Sequence, residues 1–190
     1  MKLTAAAMGV AFLGLAVTPA AADTSFDLFK ALCADTRGEP AKALAAADAT
    51  GWSPFPEALL KNMKSSDAVT YVDGRMTLAS GGPHMLLLGV TNELAPGVRR
   101  DGRICAVGSM SGDMAKLKTE ATLFASVGSD AALVTDKRAV AFAWRETNTG
   151  RQRVSAAELK TVPWDDSLSL LIAGGTDQDL PIIALAVPTK

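Results

Sequence analysis

The chain has a single histidine, His84, so any histidine-dependent mechanism must use that residue. A serine hydrolase needs its histidine beside a serine nucleophile and a carboxylate. The sequence has no G-x-S-x-G motif, and its nearest serine-glycine cluster, Val107–Gly112, has the spacing of a strand-to-helix turn. His84 is therefore the candidate catalytic residue. A local hydrogen-bonding role at the start of a strand is the favoured alternative.

Two pairs of aspartates offer oxygen ligands for a cation. Asp165 and Asp166 form one pair, and Asp177 and Asp179 form the other. Neither pair belongs to a twelve-residue loop with a closing glutamate, which calcium sites of the EF-hand type need. Aspartate also favours turns, because its side chain accepts hydrogen bonds from its own backbone. Zinc needs several histidine or cysteine ligands, and His84 stands alone, so we expect no metal site.

Trp164 lies directly before the first aspartate pair. A tryptophan on a loop can be a platform for a ligand, and Trp164, Asp165 and Asp166 would then be ligand-binding residues. It can also plug the edge of the core, which is the favoured interpretation.

The glycine-rich segments do not match a phosphate-binding site. Gly81–Gly82 and Gly174–Gly175 lack the G-x-x-x-x-G-K-[ST] pattern, and neither pair leads into a predicted helix. They predict turns, and we expect no cofactor.

Cys33 and Cys105 are the only cysteines, and both lie in apolar stretches of the kind that form a core. An even number of cysteines in an exported protein favours pairing. There is no C-x-x-C motif to indicate redox chemistry. We therefore predict a structural disulfide between Cys33 and Cys105.

The N-terminus has the pattern of a secretory signal peptide. Lys2 precedes the uncharged run Ala5–Val17, and Ala20 and Ala22 have the spacing of an A-x-A cleavage site. The run is too short for a transmembrane helix, which needs about 20 apolar residues. We predict cleavage after Ala22, a periplasmic or extracellular location, and no membrane insertion after cleavage.

The charge balance gives no indication of a nucleic-acid partner, because the formal net charge of the 190-residue chain is −1. The densest basic stretch is Arg99–Arg103, which follows Pro96 and Gly97. It predicts a solvated loop.

Helical patterns occupy the first third of the mature chain. One face of the first predicted helix has apolar residues at three- and four-residue spacing, namely Phe26, Phe29, Leu32 and Cys33. Pro40 suits the first turn of a helix over Ala41–Ala49, since its missing N–H would be unpaired there. A short third helix is predicted over Glu57–Lys64. Asp113 is the expected N-cap of a fourth helix, ended by Gly128.

The rest of the chain has runs of strand length. Asp73–Gly74 predicts a two-residue hairpin turn between strands Val69–Val72 and Arg75–Ala79, because both turn residues need positive φ. Further strands are predicted over His84–Thr91, Arg103–Met110, Ala131–Thr135, Ala139–Arg145, Arg151–Ser155, Ser167–Ala173 and Leu180–Val187. Arg151–Ser155 is expected at a sheet edge. Pro181 indicates that the last strand is at an edge or that its pairing begins after the proline.

Among these runs, Ala139–Arg145 alternates most clearly. Val140, Phe142 and Trp144 share one face, and three alanines share the other, which predicts a helix packed closely on the alanine face.

Strands follow helices without strict β-α-β alternation, which predicts an α+β fold. We expect one globular domain over residues 23–190. Its antiparallel β-sheet should have the N-terminal helices and the inserted helix packed on one face.

The pattern Phe26-x-x-Phe29-x-x-x-Cys33, a tryptophan some twenty residues later and a second cysteine in a mid-chain strand resemble small exported bacterial proteins of unassigned function. The resemblance implies no activity and no site residues.

Three functions remain open from the sequence. The favoured one is a non-enzymatic exported domain that binds a protein, peptide or small ligand, or has an accessory role in the cell envelope. The second is an envelope hydrolase that uses His84 or a carboxylate pair. The third is an inhibitor or immunity-like partner of another exported protein, for which an exposed loop such as Asn92–Gly102 would be the contact surface.

Overall fold

A computed structural model describes residues 25–62, 68–78, 82–175 and 180–189. The predicted signal peptide, residues 1–22, and the aspartates 177 and 179 lie outside these ranges. The core of the fold is an eight-stranded sheet in the order β1-β2-β3-β4-β8-β7-β5-β6, with every neighbouring pair antiparallel. Together with the helices, this sheet confirms the predicted α+β class.

In the described residues, three helices come before the main strands. Helix α1, Ser25–Phe29, continues into a π-helical turn, Lys30–Ala34. Helix α2, Pro40–Ala49, begins at the proline as predicted. Helix α3, Glu57–Asn62, follows strand β1, Ser53–Pro54. The last two residues of the predicted third helix, 63 and 64, lie outside the described ranges.

The hairpin predicted at Asp73–Gly74 is wrong. Strand β2 runs without interruption over Val69–Thr77, and its pairing with β3, His84–Thr91, includes both turn candidates and a bulge between Tyr71 and Asp73. Gly74 is instead needed because β2 and β3 approach each other closely at this position. A Cβ at Gly74 would lie 2.7 Å from the Leu86 carbonyl oxygen, which belongs to the neighbouring strand.

Strand β4, Gly102–Ser109, leads through a short turn into helix α4, Met114–Ala125. The Asp113 carboxylate caps this helix as predicted, accepting hydrogen bonds from the backbone N–H of Ala115 at 2.8 Å and of Lys116 at 3.1 Å. The helix ends at Ala125, before Gly128, and its C-cap residue Ser126 has a φ of 56°.

The strand predicted over Ala131–Thr135 is also wrong, because a 3₁₀ turn occupies Ala131–Leu133. The Asp130 carboxylate accepts hydrogen bonds from Ala132 N–H and Ala156 N–H, both at 3.0 Å. This side chain holds the segment in a turn, and of the turn residues only Leu133 is buried.

The last four strands are β5 (Val140–Thr147), β6 (Gly150–Arg153), β7 (Leu168–Gly175) and β8 (Pro181–Pro188). Strand β6 is at an edge, as predicted, but β8 lies between β4 and β7. Pro181 is tolerated because it is the first residue of β8, and pairing with β4 begins one residue later, at Ile182.

The two faces of the sheet contribute to two apolar clusters. The first, here called the helix-side cluster, contains Phe29, Leu117 and alternate strand residues such as Phe142 and Ile183. The second, the loop-side cluster, contains the intervening strand residues with Leu94, Leu133 and Leu159.

Strand β5 shows how the faces differ. Ala141 and Ala143 belong to the loop-side cluster, whereas Phe142 and Trp144 share a cluster with α4 residues. The prediction of a helix on the alanine face is therefore wrong. A 3₁₀ turn, Glu158–Lys160, contributes Leu159 there instead.

Candidate functional site

His84 is the first residue of β3 and is only 3% exposed. Its register partner on β4 is Ser109, which is 1% exposed and whose hydroxyl accepts a hydrogen bond from Ser111 N–H at 3.3 Å. Val107–Gly112 thus forms the predicted strand-to-helix turn. His84 does not line any of the three cavities described below.

The predicted disulfide joins Cys33, in the π-helical turn, to Cys105, in β4. Both residues are fully buried, and their Cα atoms are 5.4 Å apart. The bond ties the helical N-terminal segment to the centre of the sheet, and it leaves the described chain without a free thiol.

The first aspartate pair forms the turn before β7. The Asp165 carboxylate accepts hydrogen bonds from the hydroxyl and the N–H of Ser167, and these bonds lower the pKa of Asp165. The Asp166 carbonyl accepts a hydrogen bond from the Arg37 guanidinium. Among the described residues, no group of three or more histidine, cysteine or acidic side chains could hold a metal ion.

Trp164 connects two segments that are far apart in sequence. Its indole N–H donates a 2.7 Å hydrogen bond to the Asp101 carbonyl, and its half-buried ring packs against the loop-side cluster. Nearby, the Arg100 guanidinium donates to the Lys160 carbonyl at 3.1 Å. The basic stretch predicted as a solvated loop is therefore fastened to the segment that carries Trp164.

Arg100, Asp101 and Trp164 border a cavity of about 910 Å³, here called the polar cleft. Its described lining residues are Ala68, Asn92, Glu93, Arg99, Arg100, Asp101, Trp164 and Thr189. The Glu93 carboxylate accepts a 2.7 Å hydrogen bond from Gly97 N–H. The structure thus brings Trp164 together with the Asn92–Gly102 loop, but it places Asp165 and Asp166 outside the described lining.

A second cavity, of about 510 Å³, lies on the loop-side face of the sheet and is here called the apolar trough. Its floor consists of strand residues, namely Ile104, Leu170, Ile172, Ile182, Ala184 and Ala186. Leu94–Pro96 form one wall and Leu133–Asp136 form the other. Rigid β-strands therefore present an apolar surface between two loop segments.

Two backbone segments that line the trough approach each other closely at Gly174. A Cβ at Gly174 would lie 2.7 Å from the Cβ of Ala139, so the glycine allows the segment before β5 to approach β7. Asp136, which also lines the trough, is paired with Arg138 at 3.0 Å.

The polar cleft and the apolar trough are neighbours. Ala68 and Glu93 line both, and a smaller hollow of about 360 Å³ shares Asn92 and Asp101 with the polar cleft.

Sequence reasoning missed the trough, although a signal for it exists. Strands β7 and β8 are apolar at nearly every position, whereas an antiparallel sheet with one solvated face alternates apolar and polar residues. The side chains at even and odd positions of β8 differ in size. Ile182, Ala184 and Ala186 face the loop side, where the two alanines leave space.

Searches of protein-family models, curated proteins and solved structures found no match to this chain. In the described part of the chain, no helix combines the length and the apolar character that crossing a membrane requires.

Proposed function

We propose that this protein is an exported, non-enzymatic binding domain that takes the apolar part of a small molecule into the apolar trough. The observation that carries the proposal is a concave floor of aliphatic side chains between two loop walls. The signal-peptide pattern of residues 1–22 and the disulfide support an oxidising compartment outside the cytoplasm.

The size and chemistry of the trough suit a small molecule. Ligand pockets typically measure about 300–1,000 Å³ and are mostly apolar with a few polar groups. The trough has a volume of about 510 Å³, and Ile172, Ile182 and Ala184 on its floor remain partly exposed. Each methylene group that a ligand buries there contributes about 0.8 kcal/mol to binding.

The layering of the fold is part of this proposal. Helices α1, α2 and α4 would form the layer over the helix-side face, so that the loop-side face is the one that receives the ligand. Aromatic contacts between Phe124 of α4 and Phe26, Phe29 and Trp144 support such a layer, with ring centroids about 6 Å apart.

The two alternatives have less support. A hydrolase that used His84 would have to reach a side chain that is 3% exposed, and the Asp165 carboxylate is engaged by Ser167. An inhibitor that used the Asn92–Gly102 loop would need that loop to reach a partner, yet Trp164 and Arg100 fasten it to the protein's own surface.

A titration with Nile red, a neutral dye whose fluorescence rises in apolar surroundings, tests the proposal. The purified protein with its disulfide formed should bind one dye molecule. Ala184→Trp should abolish binding, because the new side chain fills the trough. Ala115→Trp adds the same side chain at an exposed position of α4 and should leave binding unchanged.

Ile172→Gln is a second test that adds almost no volume. It places an amide on the trough floor and should weaken dye binding at least fivefold, because apolar contact is replaced by a polar group that has no partner. Thermal unfolding should show that each variant is folded. Equal dye binding by the folded wild type, Ala184→Trp and Ile172→Gln would overturn the proposal.

A further inference from the structure

We propose that the ligand is a single-chain amphiphile with a zwitterionic head group, whose chain lies in the apolar trough and whose head lies in the polar cleft. This inference rests on the proposed function. Ala68 and Glu93 line both cavities, so a chain in the trough would place its head group next to the cleft.

Among the described lining residues, the polar cleft has charges of both signs in equal number. Arg99 and Arg100 supply two positive charges, and Glu93 and Asp101 supply two negative charges. Arg100 and Glu93 already have hydrogen-bond partners in the protein, the Lys160 carbonyl and the Gly97 N–H. The Arg99 guanidinium and the Asp101 carboxylate make no hydrogen bond or ion pair with another described residue. One cation and one anion therefore remain available to a ligand.

This balance favours a zwitterion over a head group with a single charge. A lone anion would be attracted by the two arginines but repelled by Asp101 and Glu93, and a lone cation would be attracted by the two carboxylates but repelled by the arginines. A zwitterion can place each of its charges beside the opposite one.

Trp164 adds a reason to expect the cationic group on the Asp101 side. Its indole N–H is bonded to the Asp101 carbonyl, which fixes the ring beside that residue. Aromatic rings attract cations, and quaternary ammonium groups in particular. The ring and the Asp101 carboxylate together offer a site for a positively charged group.

The dimensions of the trough suit a single chain. Its floor follows β8 from Ala186 to Ile182, and a strand rises about 3.4 Å per residue, which gives a floor about 14 Å long. A dodecyl chain is of this order, and two parallel chains would exceed the volume between the loop walls.

Four dodecyl ligands that differ only in the head group test the inference below their micelle concentrations. They are dodecylphosphocholine, dodecanoate, dodecyltrimethylammonium and dodecyl maltoside, and each is titrated by calorimetry into the disulfide-bonded protein. Dodecylphosphocholine should bind most tightly. The margin over each singly charged ligand should be about two- to fivefold, as expected for exposed charge interactions.

Charge-removing variants identify the groups responsible. Arg99→Gln and Asp101→Asn should each weaken dodecylphosphocholine about two- to fivefold and leave dodecyl maltoside unchanged. Asp101→Asn should improve dodecanoate, because it removes a repulsion. Lys116→Gln, on the exposed surface of α4, is the matched control and should alter none of these affinities.

The outcomes separate the two proposals. Equal affinities for all four ligands, unaffected by either variant, would overturn the head-group inference and leave the trough as the binding site. Tightest binding of dodecanoate would overturn it in favour of an anionic ligand. Failure of all four ligands to bind would overturn the proposed function as well.

Discussion

The two faces of the sheet are built from the same strands but differ in how they are covered. On the helix side, the strand residues Phe142, Ile183 and Leu185 are buried against helical residues and the disulfide. On the loop side, short segments cover the ends of the face and leave a trough of about 510 Å³ over the middle strands.

The difference shows how a sheet can have two apolar faces and fill only one. Large strand side chains on the helix side are buried in one cluster with helical residues, and close packing of this kind contributes most of a domain's stability. Ala184 and Ala186 on the opposite face of β8 are too small to fill the space between the loop walls. The helix side should therefore determine stability, and the loop side should determine binding.

The largest change in unfolding free energy should come from removing the disulfide. Replacing both Cys33 and Cys105 with alanine should lower the free energy of unfolding by about 4 kcal/mol, the chain-entropy estimate for a loop closed across 72 residues. Urea unfolding measures this change. Reducing agent should lower wild-type stability by a similar amount and leave the double variant unchanged; a stability unaffected by either treatment would contradict a structural role.

Two neighbouring isoleucines in β8 compare the faces directly. Ile183 is fully buried on the helix side, and Ile182 is half-buried on the trough floor. Ile183→Ala should cost about 2–5 kcal/mol of unfolding free energy, whereas Ile182→Ala should cost less than about half as much, because its site can stay hydrated. Only Ile182→Ala should weaken Nile red binding. Equal losses of stability would mean that the two faces are equally packed.

A smaller effect is expected at the polar cleft. Trp164→Phe removes the hydrogen bond to the Asp101 carbonyl and should cost about 1 kcal/mol of unfolding free energy. Arg100→Gln removes the neighbouring bond to Lys160. Because both bonds fasten the same two segments, the double variant should depart from the sum of the single effects in urea unfolding. Additive effects would show that the segments are held independently.

The smallest effect concerns pH. Backbone hydrogen bonds from Ala156 and Ala132 lower the pKa of Asp130, which holds the turn that leads into one wall of the trough. A group with a depressed folded-state pKa stabilises the fold above its unfolded pKa, close to 3.8, and loses that contribution as pH falls through the lower folded value. Asp130→Asn should therefore reduce the acid dependence of stability below about pH 4, as followed by thermal unfolding. An identical pH profile would exclude this role.

Much of the fold could be predicted from local patterns. Three features depend only on neighbouring residues and could be predicted from the sequence. They are the apolar spacing in β3 and β4, the helix start at Pro40 and the helix cap at Asp113. Asp73–Gly74 misled because a glycine that permits close approach to β3 looks the same in sequence as one that permits a turn.

The proposed binding surface could not be predicted because it depends on long-range pairing. Pro181 indicated either an edge position for β8 or pairing that begins after the proline. Strand β8 is central, its pairing with β7 includes Pro181, and its pairing with β4 begins one residue later. Only this central position places Ala184 between Ile172 and the β4 residues to form a floor. Likewise, nothing local to Arg99 or Trp164 indicates that their segments meet across one cleft.

The central claim is that one face of the sheet is filled by packing and the other binds the ligand. Methyl NMR spectra test it most directly when the isoleucine signals are followed during a titration with dodecylphosphocholine. Ile182 and Ile183 are adjacent in sequence and lie on opposite faces. We expect the methyl signals of Ile172 and Ile182 to shift with ligand concentration while those of Ile183 stay in place. Shifts at Ile183 without shifts at Ile172 and Ile182, or no shifts at any of the three, would contradict the assignment of the trough as the ligand site.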